Sequence, residues 1–375
     1  MKVVLDARTV GRRFSGVGFY VLELIRAFSR IDADHTFHIL VHGESAIEDL
    51  APDPRFRIHR TRASPESHPW GDLWEELVLP RLAASVQADV LHGPAFLIPL
   101  RRTKIATVVT IHDLVAFTHP RTIPWKYALY MRRRIRRAVQ TAQRTICVSE
   151  SAKRDVLRLL APSEEKIACI HHGVAERFHP QTDERIDEVR RRYELARPYI
   201  LFVGNLEPRK NLGGLVRAFR IVRRDEKEPL DLVVAGQIAW KSDELLRELG
   251  EEDVRDSIRL TGYFPAEDLP ALYSGARAFV FPTLWEGFGM PVLEAMACGA
   301  PVVASRVPSI QEIAGDAAIL VDPNSPDSIA GGIREALLGP RDEWSRGGIK
   351  QAAQFSWLST AQHTLRVYEE AQHNP

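Results

Sequence analysis

The sequence predicts an α/β protein with parallel sheets, organised as two domains. Short apolar runs alternate along the chain with stretches whose apolar residues recur at helical spacing. At 375 residues the chain exceeds what one core usually organises, and two domains are the natural count. The stretch Phe279 to Ser305 then supplies a complete unit. An apolar run begins at Phe279, a loop carries Glu286, Gly287, Phe288 and Gly289, and a second apolar run spans Val302–Ala304. Between them Pro291 suits the first turn of a helix and Gly299 can end it. The order is strand, Gly-rich loop, short helix, strand: a βαβ unit with its loop at the carboxyl end of the first strand.

The chemistry follows from that geometry. Gly287 and Gly289 lack a Cβ, so their N–H groups can approach a ligand closely. The helix opening near Pro291 adds free N–H groups and a positive dipole end, which favour a phosphate. Glu294 is expected in the first helical turn, leaning back toward that end, with Glu286 on the other side of the same pocket. Two carboxylates beside a phosphate would repel it unless they accept hydrogen bonds from sugar hydroxyls. A nucleotide sugar offers phosphate, ribose and hexose together.

Composition sets the outer limits. Hydrophobic content of 45% and charged content of 26% are those of a soluble globular protein. No apolar run reaches the ~18 residues of a membrane span, and Met1–Asp6 reads as a strand rather than a signal peptide. Cys147, Cys169 and Cys298 form no metal spacing and fit a reducing, cytoplasmic setting. With 50 basic and 49 acidic residues, attraction to nucleic acid or membrane needs a local patch.

Taken in order, Val3–Asp6 is a strand, Arg8 to Gly18 a basic loop, and Phe19–Phe28 a helix. Gly16 and Gly18 sit where α/β folds bind ligands, without the third glycine and distant acid of a dinucleotide fingerprint. Strands follow at Phe37–Val41 and Phe56–His59, then a helix at Asp72–Leu79 and a short strand at Val90–Gly93. Ile105–Thr110 is a β-branched strand followed at once by His112 and Asp113. His112 is placed to donate to a sugar or hold an acceptor, with Asp113 orienting the ring. Trp125 to Val139 reads as a helix with aromatics at one end and Arg132, Arg133, Arg134, Arg136 and Arg137 beyond. Its bland reading is a solvated basic face; its sharper one is contact with anionic lipid. A nucleic-acid surface is set aside, because no stacking platform accompanies the charge.

A strand at Thr145–Val148, a helix Ala152–Leu160 capped by Ser149, and a strand Ile167–Ile170 complete the first half. His171 and His172 are adjacent, so their side chains diverge, and no metal site is expected. Residues 179–183 are the linker. The second half opens with the strand Tyr199–Gly204, then Arg209 and Lys210, then the helix Leu212–Val222. Cations placed there reach a pyrophosphate: Arg supplies a planar fork, Lys a movable charge. Strands at Leu232–Gly236 and Ile258–Tyr263, a helix from Pro265, a strand Ala318–Val321, and helices from Asp327 and after Trp357 follow.

Glu286-Gly-Phe-Gly-Met-Pro-Val-Leu-Glu294, with Ala-Met-Ala-Cys-Gly-Ala-Pro after it, resembles the signature of retaining GT-B glycosyltransferases of family GT4. That resemblance implies two doubly wound, Rossmann-like sheets facing across a cleft. It puts the acceptor side at 1–180, with a returning helix at 356–375, and the donor side at 181–355. It implies catalytic roles for Glu286, His112, Lys210 and Arg209. It implies donor contacts from Gly16, Gly18, Gly204, Tyr263 and Phe264, the last two beside the nucleobase, and from Gly287, Phe288, Gly289, Met290, Pro291, Val292 and Glu294. Asn205 stands where many relatives carry Arg, which leaves open whether Arg209 takes that contact. The chain looks most like bacterial mannosyltransferases of polysaccharide and O-antigen assembly. GDP-mannose is therefore the first-choice donor, a glycan or lipid-linked hydroxyl the acceptor, and neither cofactor nor metal is expected. Lipid contact would run through Arg132, Arg133, Arg136 and Arg137. A nucleotide-sugar 2-epimerase and a non-catalytic nucleotide- or lipid-binding scaffold remain alternatives.

Overall fold

The computed structural model describes residues 1–11, 16–32, 34–43, 47, 53–63, 70–99, 104–225, 228–238, 247–249, 251, 253–262 and 264–373. Two units emerge, each with its own parallel sheet. The first comprises residues 1–118, 125–173 and 356–375; the second comprises 119–124 and 174–355.

The first sheet has the order β3-β2-β1-β4-β5-β6-β7. Its strands are β1 (Lys2–Asp6), β2 (Thr36–His42), β3 (Phe56–Thr61), β4 (Val90–Gly93), β5 (Ala106–Ile111), β6 (Arg144–Cys147) and β7 (Ile167–Cys169). All six residues of β5 are buried, as expected for a strand covered on both faces. Sequence order reverses between β1 and β4, so the loops after these strands flank the switch point. Helix α1 (Gly16–Ser29) packs against the last helix, Trp357–His373, and Gly16 and Gly18 lie in its first turn rather than in a loop. The helix expected at 72–79 is two: α2 (Trp70–Leu77) and α3 (Leu79–Ser85). Pro80 opens α3, where its missing N–H breaks no helical bond.

A short helix α4 (Val115–Thr118) precedes the basic helix α5 (Trp125–Thr141). Not all of the arginines of α5 are solvated. Arg134 is buried and pairs with Glu75 at 2.6 Å and Glu76 at 2.9 Å on α2. Arg132 Nε donates to the Ala116 carbonyl at 2.6 Å, while Arg133, Arg136 and Arg137 are exposed. At the start of the helix Trp125 is 71% exposed and Leu129 54%. Among the described residues no helix is long and apolar enough to cross a membrane. Helix α6 (Glu150–Leu160) is capped by Ser149, whose side chain accepts from the Ala152 N–H.

The second sheet has the order β10-β9-β8-β11-β12-β13. Its strands are β8 (Tyr199–Val203), β9 (Asp231–Ala235), β10 (Ile258–Gly262), β11 (Ala278–Phe281), β12 (Val302–Ser305) and β13 (Ile319–Val321). Its reversal falls between β8 and β11. Helix α7 (Asp183–Arg192) occupies residues just past the expected linker. It buries little beyond Val189, so apolar periodicity hides it; acids in its first turn and arginines in its last complement the dipole. Helix α8 is Leu212–Asp225. The helix expected from Pro265 begins later, as α9 (Leu269–Gly275), with Pro270 in its first turn. The remaining helices are α10 (Met290–Ala297), α11 (Pro308–Ala314), α12 (Pro326–Leu338), α13 (Arg341–Ala352) and α14 (Trp357–His373), the last belonging to the first unit.

Candidate active site

At the reversal of the second sheet, the loops leaving β8 and β11 meet. A single turn at Pro208–Lys210 ends at Asn211, which sits in the left-handed region at φ 57°. That conformation is uncommon for a residue with a Cβ and persists where surroundings hold it. Asn211 Nδ2 donates to the carbonyls of Pro282 at 2.9 Å and Pro323 at 2.7 Å. The Leu284 N–H donates to the Arg209 carbonyl at 2.8 Å. The turn bearing both cations is thereby tied to the loop bearing Glu286.

Glu286 is buried between those cations. Lys210 Nζ lies 2.5 Å from its Oε1 and Arg209 Nη1 3.1 Å from its Oε2. The Thr283 hydroxyl lies 3.1 Å from Oε1, and the Glu286 carbonyl accepts from Ser309 Oγ at 2.7 Å. Burial alone would raise the Glu286 pKa, but Arg209 and Lys210 hold it below the ordinary carboxylate value. Burial pushes Lys210 below its ordinary value despite the pull of Glu286, with Arg209 adding repulsion. Glu207, not singled out in the sequence, accepts from Arg209 Nη2 at 2.7 Å. Two cations and two carboxylates thus form one neutral set. Gly204, at φ +154°, ends β8 beside the Lys210 stem.

Gly289 is required for a reason other than ligand approach. Its φ is +108°, and a Cβ there would lie 2.4 Å from Ile310 Cδ1. The glycine fits a left-handed backbone packed onto α11, immediately before Met290 and Pro291 open α10. Phe288 and Val292 are buried, so their side chains serve packing. Glu294 is the fifth residue of α10, beyond the first turn, and its Oε2 accepts from Tyr273 Oη at 3.0 Å. Gly299, at φ +73°, follows the helix; its N–H donates to Met296 and the Ala300 N–H to Ala295, closing the end. Phe264 is buried edge-on to Tyr193 at 4.3 Å, so its ring supports α7. Tyr263 lies outside the described residues.

Gly16, Gly18 and His112 belong to the first unit. His112 is buried, and its Nε2–H donates to the Pro94 carbonyl at 2.7 Å. Asp113 does not orient the ring; its Oδ1 accepts from the Val115 N–H and starts α4. Burial lowers the His112 pKa to about 4, so the ring is neutral near pH 7 and its Nδ1 is an acceptor. Around it lie Tyr20 at 4.8 Å and His172 at 5.5 Å, with Trp357 stacked on His172 at 5.6 Å. His92, fully buried, bridges Tyr368 Oη at 2.7 Å and Thr110 Oγ1 at 2.8 Å.

Two doubly wound parallel sheets in one chain are the architecture of GT-B glycosyltransferases, and solved structures share it. Sucrose-phosphate synthase from Thermosynechococcus elongatus superposes with a TM-score of 0.77 at 20% identity, over 99% of this chain and 98% of that one. HepE from Anabaena, solved with UDP and glucose, gives 0.74 at 15% identity over 98% of each chain. Residues 14–178 match Glycosyltransferase Family 4, and residues 185–352 match Glycosyl transferases group 1. O-antigen chain mannosyltransferase B of Escherichia coli is 32% identical over 385 aligned positions, spanning 98% of this chain and 100% of that protein. The chain belongs to this glycosyltransferase family.

Proposed function

We propose that the protein transfers mannose from GDP-mannose to a hydroxyl of a glycan or lipid-linked acceptor, with retention at the anomeric carbon and without a metal. The observation that carries this reading is the meeting of Arg209, Lys210 and Glu286 at the carboxyl ends of β8 and β11, where the strand order reverses. A diphosphate entering there competes with Glu286 for both cations. Once released, the carboxylate accepts from hexose hydroxyls, and the cations with the α10 amides stabilise the leaving group. Glu294, farther along α10, accepts from the ribose. The second unit, residues 119–124 and 174–355, forms the donor domain, and the first, residues 1–118, 125–173 and 356–375, the acceptor domain. The mannose assignment is supported by the relatives: besides mannosyltransferase B, a serotype-specific mannosyltransferase of Escherichia coli is 29% identical over 70% of this chain, though the chain covers only 33% of it.

The test begins with a thermal-shift panel of GDP-, UDP- and ADP-sugars, in which GDP-mannose should stabilise selectively. Lys210→Ala and Glu286→Ala should each lower turnover by about 10²–10³ while the fold persists. Full turnover in either variant removes that residue from the mechanism. The anomer of the product, read by NMR, decides retention, and unchanged activity in EDTA decides metal independence. Donor conversion without acceptor would instead indicate an epimerase. The exposed Trp125, Tyr127 and Leu129 beside Arg133, Arg136 and Arg137 favour peripheral contact with an anionic membrane. Sedimentation with phosphatidylserine vesicles, lost in Arg133→Glu/Arg137→Glu, tests it.

A further inference from the structure

We propose that Cys147 and Cys169 are a modification site, a pair of thiols that hydrogen peroxide converts to a disulfide joining β6 to β7. The sheet itself brings them together. Cys147 ends β6, Cys169 ends β7, and the two are register partners across this parallel pair. The Ile170 N–H donates to the Cys147 carbonyl at 2.9 Å, so the strands are held together at this level. Residues paired in this way have Cα atoms about 4.8 Å apart and side chains on the same face. That separation falls inside the window of roughly 4.4–6.8 Å that disulfides span. Both residues carry thiols in this structure.

The two thiols are not equivalent. Cys147 is fully buried, and burial holds its thiol protonated. Cys169 is half-buried, and its Sγ lies 4.0 Å from Nε2 of His171, two residues further along the chain. An imidazole nitrogen there can take the thiol proton as the sulfur attacks. Cys169 is therefore the entry point. Its sulfur attacks one peroxide oxygen, the O–O bond breaks, and a sulfenic acid and water result. The Cys147 sulfur then displaces the hydroxyl, forming the S–S bond and releasing a second water that carries the Cys147 proton. In sum two thiols are oxidised to a disulfide and one hydrogen peroxide is reduced to two waters. Strand β7 has three residues and stands last in the sheet order, so the new bond clamps it to β6.

The test treats the full chain with hydrogen peroxide, alkylates the remaining thiols and maps peptides without reduction. The expected product is a linked pair of peptides carrying Cys147 and Cys169, lighter by two hydrogens and separated by dithiothreitol. Before oxidation, Cys169 should alkylate about tenfold faster than Cys147. In Cys147→Ser, dimedone should trap the sulfenic acid on Cys169. In Cys169→Ser, Cys147 should remain a thiol at the same dose of peroxide. Amide hydrogen exchange over residues 167–170 of the wild type should slow several-fold once the link has formed. Oxidation of Cys169 without the link, or a link that forms only in denaturant, overturns the pairing. Oxidation of Cys147 in Cys169→Ser overturns the order of attack. Unchanged exchange in the linked protein overturns the clamp on β7.

Discussion

Glu207 lies against Arg209 on the side away from Glu286, so the guanidinium is held at both ends of its fork. Glu207→Gln keeps a hydrogen-bond acceptor and removes one negative charge beside the proposed diphosphate site. Nucleoside diphosphate should then bind several-fold tighter, while turnover falls about tenfold because the fork is less firmly held. Calorimetry and steady-state kinetics read the two effects, and weaker nucleotide binding would refute the assignment. Much of this site was legible beforehand. Arg209, Lys210 and Glu286 follow strands readable as short apolar runs, and cations at such ends have an evident use. Glu207 was not, because an acid before Pro208 reads as a solvated turn residue, and only the fold shows it buried. The Pro94 carbonyl, which sets the tautomer of His112, is likewise a backbone group eighteen positions away that no side-chain pattern announces.

At the scale of elements, the entrance to α10 depends on Gly289. Alanine there would meet Ile310 and adopt a strained φ, so Gly289→Ala should cost about 2–4 kcal/mol and weaken donor binding. Chemical denaturation and nucleotide titration check both. Helix α5 gives a second prediction. Arg134 is anchored to Glu75 and Glu76, and Arg134→Ala leaves the buried Glu75 with Arg8 at 3.3 Å and removes one hold on the half-buried Glu76, at a cost of about 2 kcal/mol. Arg137→Ala, at an exposed position, should leave stability within about 0.5 kcal/mol. Helices whose apolar face is continuous, such as α1 and α8, were readable from spacing. Helices α7, α11 and α13 were not: α7 is almost wholly polar, and Pro308 and Pro340 at the openings of the others read as turns.

For the whole molecule, acid sensitivity should originate in the first unit. Burial lowers His92 to about 3, His112 to about 4, and His172 well below its ordinary value. The unfolded chain therefore takes up these protons first as pH falls below about 6.5, and stability present above that value is lost toward pH 4. Three such rings correspond to roughly 4 kcal/mol between pH 7.5 and 5.5. Denaturation midpoints at those two pH values measure it, and a flat profile would refute it. The alternation of strand and helix made both sheets foreseeable, whereas the assignment of residues 119–124 to the second unit has no local signature. The place of α14 has a consequence during synthesis. Tyr368 closes the hydrogen-bonded chain through His92 and Thr110, in strands made hundreds of residues earlier. As a nascent polypeptide emerges from the ribosome, its leading half cannot finish its interior until residues 356–375 follow, so that half matures last although it is translated first.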